Sequence, residues 1–109
     1  MIPDTIKNEI INNITSKKPY KVFLFGSYAY GSVERDSDID LLVVVDKEGV
    51  PKNYQEKSEN YLEISRALRS LNKKIPMDIL VMTKTQWMEF VRKRSGFARE
   101  ILEKGVELL

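Results

Sequence analysis

The chain has 109 residues, enough for one domain with a real core but not for a second folded unit. Its 18 Lys and Arg against 16 Asp and Glu leave a formal charge of +2, too small to argue for a nucleic-acid partner. It contains no Cys and no His, which excludes disulfides, thiol nucleophiles, thiolate or imidazole metal sites and a Ser-His-Asp triad.

A metal, if bound, must therefore be held by oxygen, and oxygen-only sites favour Mg²⁺ or Mn²⁺. No apolar run approaches the about 20 residues that span a bilayer. The start, Met1-Ile2-Pro3-Asp4, has neither a basic region nor an apolar signal core, so a cytoplasmic protein with no membrane contact is expected.

Residues 4–17 carry Ile6, Ile10 and Ile14 at a spacing of four, which predicts an amphipathic helix with Asp4 as N-cap. Tyr20 to Phe25 is a short β-rich run stopped by Gly26. A helical turn from Ser27 to Ser32 follows, with Gly31 allowing close packing, and then a polar loop from Val33 to Ser37. Ile39 to Val45 is almost wholly aliphatic, as expected of a strand covered on both faces. After an exposed turn at residues 46–51, residues 53–73 predict a longer helix with Tyr61, Ile64, Leu68 and Leu71 on one side.

Met77 to Met82 reads as a third strand, and Thr83 or Thr85 as the cap of a helix bearing Trp87, Phe90 and Val91. Ser95-Gly96 breaks that helix, Phe97 to Lys104 forms another, and Val106 to Leu109 adds a short strand. Strands alternating with helices imply an α/β (α+β) domain over residues 1–109: a small mixed β-sheet with helices packed on it. Trp87, Phe90 and Phe97 suit helix packing better than base stacking, and the Lys and Arg residues from Arg92 onward suit a solvated helix face.

Three features carry chemistry. Asp38 and Asp40 head the second strand, where alternate side chains share a face with Cα atoms about 6.5–7 Å apart. Two such anions repel unless a cation lies between them; the plain alternative makes them turn and cap residues. Asp78 is the one charged residue near the start of an otherwise apolar strand, and a buried carboxylate needs a partner. A shared metal would be that partner; the plain alternative is an Asp at an exposed strand end, paired with a lysine such as Lys74. Gly26-Ser27 closes the first strand, where Gly26 permits a phosphate to approach the backbone and the Ser27 hydroxyl offers a donor. Tyr28 and Tyr30 flank that turn and either touch a ligand or pack.

The text Phe25-Gly26-Ser27-Tyr28-Ala29-Tyr30-Gly31, followed by Asp36-Ser37-Asp38-Ile39-Asp40-Leu41-Leu42-Val43-Val44, resembles the DNA polymerase β-type nucleotidyltransferases. Within them it is similar to the minimal nucleotidyltransferase (MNT) group, through Met77-Asp78-Ile79-Leu80-Val81 and Glu100-Ile101-Leu102-Glu103-Lys104-Gly105-Val106 as well. The resemblance implies that Gly26 and Ser27 hold nucleotide phosphates and that Asp38, Asp40 and Asp78 are catalytic and ligate Mg²⁺ or Mn²⁺. Members often have Arg where this chain has Tyr30, and Arg35 is the nearby candidate to replace it in nucleotide binding.

The implied activity is transfer of NMP, in the first place AMP from ATP, to a hydroxyl acceptor, with release of pyrophosphate. Larger relatives carry a further domain for the acceptor, and this length leaves no room for one. The resemblance therefore implies a HEPN-type partner protein in a toxin–antitoxin module, with this chain as antitoxin; self-association is a further option. Two rival readings are a binding module that silences its partner by contact, and transfer to a small molecule.

Overall fold

The computed structural model describes residues 3–31 and 37–109. Helix α1 spans Asp4–Ile14 and runs into a 3₁₀ turn, Thr15–Lys17, that ends on left-handed Lys18. Strand β1 is Lys21–Phe25, α2 is Ser27–Tyr30 and β2 is Ile39–Val45. Helix α3 (Tyr54–Ala67) and α4 (Arg69–Lys74) lead to β3, Met77–Thr83. Helices α5 (Lys84–Lys93) and α6 (Gly96–Lys104) precede the short β4, Val106–Glu107.

The sheet is mixed, as expected, in the order β3-β2-β1-β4. β1 is antiparallel to β2 and β4, whereas β2 and β3 run parallel. The parallel pair is joined by α3 and α4, the crossover that parallel neighbours require.

Alternation along the strands sorts the core into two layers. Val22, Leu24, Ile39, Leu41, Val43, Val45 and Ile79 face Ile10, Ile14, Ile64, Leu68 and Leu71 of α1, α3 and α4. Phe23, Leu42 and Val44 face the other way, toward Trp87 of α5 and Ile101 of α6. Phe23 stacks on Trp87 at 5.0 Å, and the ring contacts continue through Phe90 and Phe97 to Phe25. The aromatics of α5 and α6 are thus packing residues, as read from their spacing.

Several local expectations change. Asp4 is the first helical residue rather than the cap: Pro3 occupies the cap position, and its carbonyl accepts from Lys7. The long helix breaks at Leu68, whose φ of −99° and ψ of 6° leave the α region. Its inward stripe is Asn60, Ile64, Leu68 and Leu71, while Tyr61 is exposed. Asn60 is tolerated there because its side-chain carbonyl accepts from Lys47 Nζ at 2.8 Å. Among the described residues nothing lies within 4 Å of where a Gly31 side chain would begin; Gly31 caps α2 with φ +80°, a conformation that favours glycine. Of the two candidate caps, Thr83 forms a capping box with Gln86 and starts α5. Among the described residues no helix is long and apolar enough to cross a membrane.

Candidate functional site

The β2–β3 register is what gathers the acidic residues. Asp40 lies directly opposite Asp78 on the parallel neighbour and opposite Phe25 on β1. Asp40 and Asp78 therefore share the face of Leu42 and Leu80, one pair nearer the strand starts. Asp38 immediately precedes β2 and is exposed. The start of β3 is fixed by Asn72, whose side-chain carbonyl accepts from the Met77 N–H at 2.9 Å, and the start of β2 by the Ile39 N–H on the Pro76 carbonyl at 3.0 Å.

Asp78 follows the plain alternative in its exposure but not in its lysine. It is exposed, and no ion pair joins it to Lys74, so burial does not force a partner on it. The strained carboxylate is Asp40, which is half-buried. Its pKa is raised, first by desolvation and then by the Asp78 and Asp38 anions. Among the described residues no Lys or Arg forms an ion pair with any of the three. Nor does any group of three acidic side chains among them stand ready-gathered as a metal cage.

Gly26 closes the other side of the site. Its φ of +71° belongs to glycine, and a Cβ built there would lie 2.0 Å from Asp40 Oδ2. The backbone at Gly26 is thus pressed against the carboxylate, with no side chain between them. Ser27 opens α2 directly afterwards, and the first amides of so short a helix have no partner within it. Tyr28 and Ala29 pack on the α1–α3 core layer, whereas Tyr30 turns toward α6, its ring 6.0 Å from Lys104 Nζ. Arg35 lies outside the described residues.

The cleft of about 240 Å³ between α3 and β3 is lined by Tyr54, Lys57, Tyr61 and Leu80, and holds none of the acidic residues or Gly26-Ser27. The charge pattern marks the site better than that cleft does, because a triphosphate and its cation are held by charges and backbone amides rather than by an apolar hollow. Oxygen donors alone, crowded enough to disfavour ionisation of Asp40, fit a hard divalent cation. The role of α6 was not legible beforehand: Glu100 and Lys104, a turn apart, become neighbours of Tyr30 only through the fold.

The chain matches the nucleotidyltransferase domain family over residues 7–108. It belongs to that family. No curated protein matches it. Among solved structures, a toxin–antitoxin crystallised with AMP-PNP contains a chain that is 23% identical, with a TM-score of 0.60 over 94% of this chain and 72% of that one. Two mutants of the toxin–antitoxin MntA-HpeT are 18% identical with TM-scores of 0.54. In one, two aspartates one residue apart are changed to glutamate; it aligns over 94% of this chain and 72% of the other. In the second, a tyrosine is changed to alanine; it aligns over the whole of this chain and 73% of the other. These likenesses show that the chain shares the fold of those toxin–antitoxin chains.

Proposed function

We propose that this nucleotidyltransferase moves AMP from ATP to a hydroxyl of a partner protein, and serves as the antitoxin of a HEPN/MNT pair in the cytoplasm. The observation that carries the reading is the Asp40–Asp78 pair, set in register with Asp38 just ahead and the Gly26 backbone against Asp40. AMP-PNP in one structural neighbour supports ATP as donor, and toxin–antitoxin assembly in all three supports a protein partner.

In this reading Gly26 and Ser27 receive the triphosphate, through backbone amides and the Ser27 hydroxyl. Asp38 and Asp40 hold Mg²⁺ or Mn²⁺, and Asp78 completes the set. When bound, the cation neutralises charge on the triphosphate and acidifies the acceptor hydroxyl. Asp78, exposed at the sheet edge, orients that hydroxyl and takes its proton. The acceptor oxygen bonds to the α-phosphorus as the bond to the β-phosphate bridging oxygen breaks, and pyrophosphate leaves with the electron pair. The open face beside Asp78 suits an acceptor presented by another chain.

The test is incubation with Mg²⁺ and α-labelled ATP, with and without the partner. Label on the partner that disappears in Asp38→Asn and Asp40→Asn supports the assignment. Full transfer by either variant, or a partner silenced without labelling, refutes it; label on a small molecule instead would move the acceptor class.

A further inference from the structure

Strand β3 is the outer strand of the sheet: it pairs with β2, and among the described residues no strand lies on its other side. The Ile39 N–H donates to the Pro76 carbonyl. In the parallel ladder this turns the backbone groups of Asp78, Leu80 and Met82 toward β2, and those of Met77, Ile79, Val81 and Thr83 outward. The two outward N–H groups at the strand ends are taken, that of Met77 by the Asn72 side chain and that of Thr83 by the Gln86 side chain, each at 2.9 Å. Between them, the N–H groups of Ile79 and Val81 find no acceptor among the described residues. They border the cleft beside α3 that Tyr54, Lys57 and Tyr61 complete. β3 has no Pro, Lys, Arg or bulge to keep another strand away. A second copy of this chain suits the edge poorly: pairing two β3 strands about Leu80 would bring the Lys57 of both copies into one groove. Lys57 forms no ion pair among the described residues, so the groove favours a segment that carries an acid.

We propose that β3 takes up an extended segment of the acceptor protein as a further, antiparallel strand, with a hydroxyl side chain opposite Asp78 and an acidic one toward Lys57. Hydrogen bonds at Ile79 and Val81 leave Asp78 in a non-hydrogen-bonded pair, the closer kind, with Cα atoms about 4.5 Å apart. The residue opposite Asp78 shares its face, so the pairing itself brings the hydroxyl to that carboxylate. The next residue, opposite Ile79, points to the α3 face, where Lys57 lies. Main-chain pairing supplies the affinity, and alternation along the segment supplies the choice of side chains. The inference rests on the reading of Asp78 as the residue that orients the acceptor hydroxyl.

The test follows amide hydrogen exchange in the full chain, alone and saturated with the protein that it labels from α-labelled ATP. The Ile79 and Val81 amides are expected to exchange freely in the chain alone and about tenfold or more slowly in the complex. Two variants accompany it. Val81→Pro removes one outward N–H at a strand edge, where Pro is tolerated, and Lys57→Glu reverses the charge of the groove. Each is expected to bind the acceptor protein about tenfold more weakly, the worth of one well-made contact, while binding Mg²⁺–AMP-PNP as wild type does. An acceptor that is labelled while both amides exchange as fast as in the free chain, or undiminished acceptor binding in either variant, would overturn the proposal. So would protection of the two amides that appears in the chain alone and grows with its concentration, which would give the edge to a second copy. A wild type that labels no protein would instead overturn the reading on which the inference rests.

Discussion

The two faces of the sheet make opposite use of the same strands. On the α1–α3–α4 face, Ile39, Leu41, Val43 and Val45 form an unbroken apolar row, sealed along its whole length. On the other face Leu42 and Val44 are equally sealed beneath Trp87 and Ile101, but the cover stops there. Asp40 and Asp78 continue those rows beyond it. One register therefore serves two ends: burial where helices lie on both faces, and concentrated negative charge where, among the described residues, the apolar row ends. On the proposed reading stability resides in the first region and chemistry in the second, so substitutions should separate the two.

The largest effect on stability is expected from the sealed face. Leu41→Ala removes a fully buried side chain from the central strand and should cost about 2–5 kcal/mol in denaturant unfolding. The affinity of the remaining folded protein for Mg²⁺–AMP-PNP should be unchanged; a loss of affinity at a temperature where the variant is folded would show that the regions are coupled. Gly26→Ala sharpens the contrast from the other side. The new Cβ would meet Asp40 Oδ2 at 2.0 Å and the backbone would be held at φ +71°. Together these should cost about 2–4 kcal/mol and, by displacing the carboxylate, remove nucleotide binding. Retained binding in this variant would mean that the Gly26–Asp40 contact does not belong to the site.

The sealed region was the more legible of the two. Its strands announce themselves by aliphatic runs and its helices by a period near 3.6, both local signals. The acidic residues and Gly26-Ser27 were also visible, as chemical types in a known spacing. Their arrangement was not, because it depends on a parallel register between strands separated by two helices. Sequence suggested that Asp78 was the costly buried charge; the register gives that strain to Asp40 and leaves Asp78 open. The stripe on α3 was misread by one position at Tyr61 because a buried Asn60, satisfied by Lys47 from a distant loop, breaks the rule of apolar periodicity. Tyr30 was marked by its place beside the Gly26-Ser27 turn, but its nearness to α6 was not, since only the docking of α6 on β1 makes them neighbours.

The smallest expected effect tests the charge that the open region stores. An acid whose folded pKa lies above its unfolded value binds more protons when folded. Its ionisation therefore costs stability, which is lost as pH rises from the unfolded value through the folded one and regained on acidification. Asp40 is such a group, raised by desolvation and by the Asp78 and Asp38 anions. In metal-free buffer at neutral pH, Asp40→Asn should therefore melt a few degrees above wild type, because it removes the repulsion and keeps the shape. The gap should narrow as pH falls through the raised pKa of Asp40 and close below the ordinary carboxylate range, where wild type is protonated as well. Mg²⁺ should narrow it too, by raising the wild-type melting temperature while leaving the variant nearly unmoved. An Asn variant that melts lower than wild type throughout would mean that the carboxylate is held by favourable contacts, and that the open end of the sheet is not strained toward a cation.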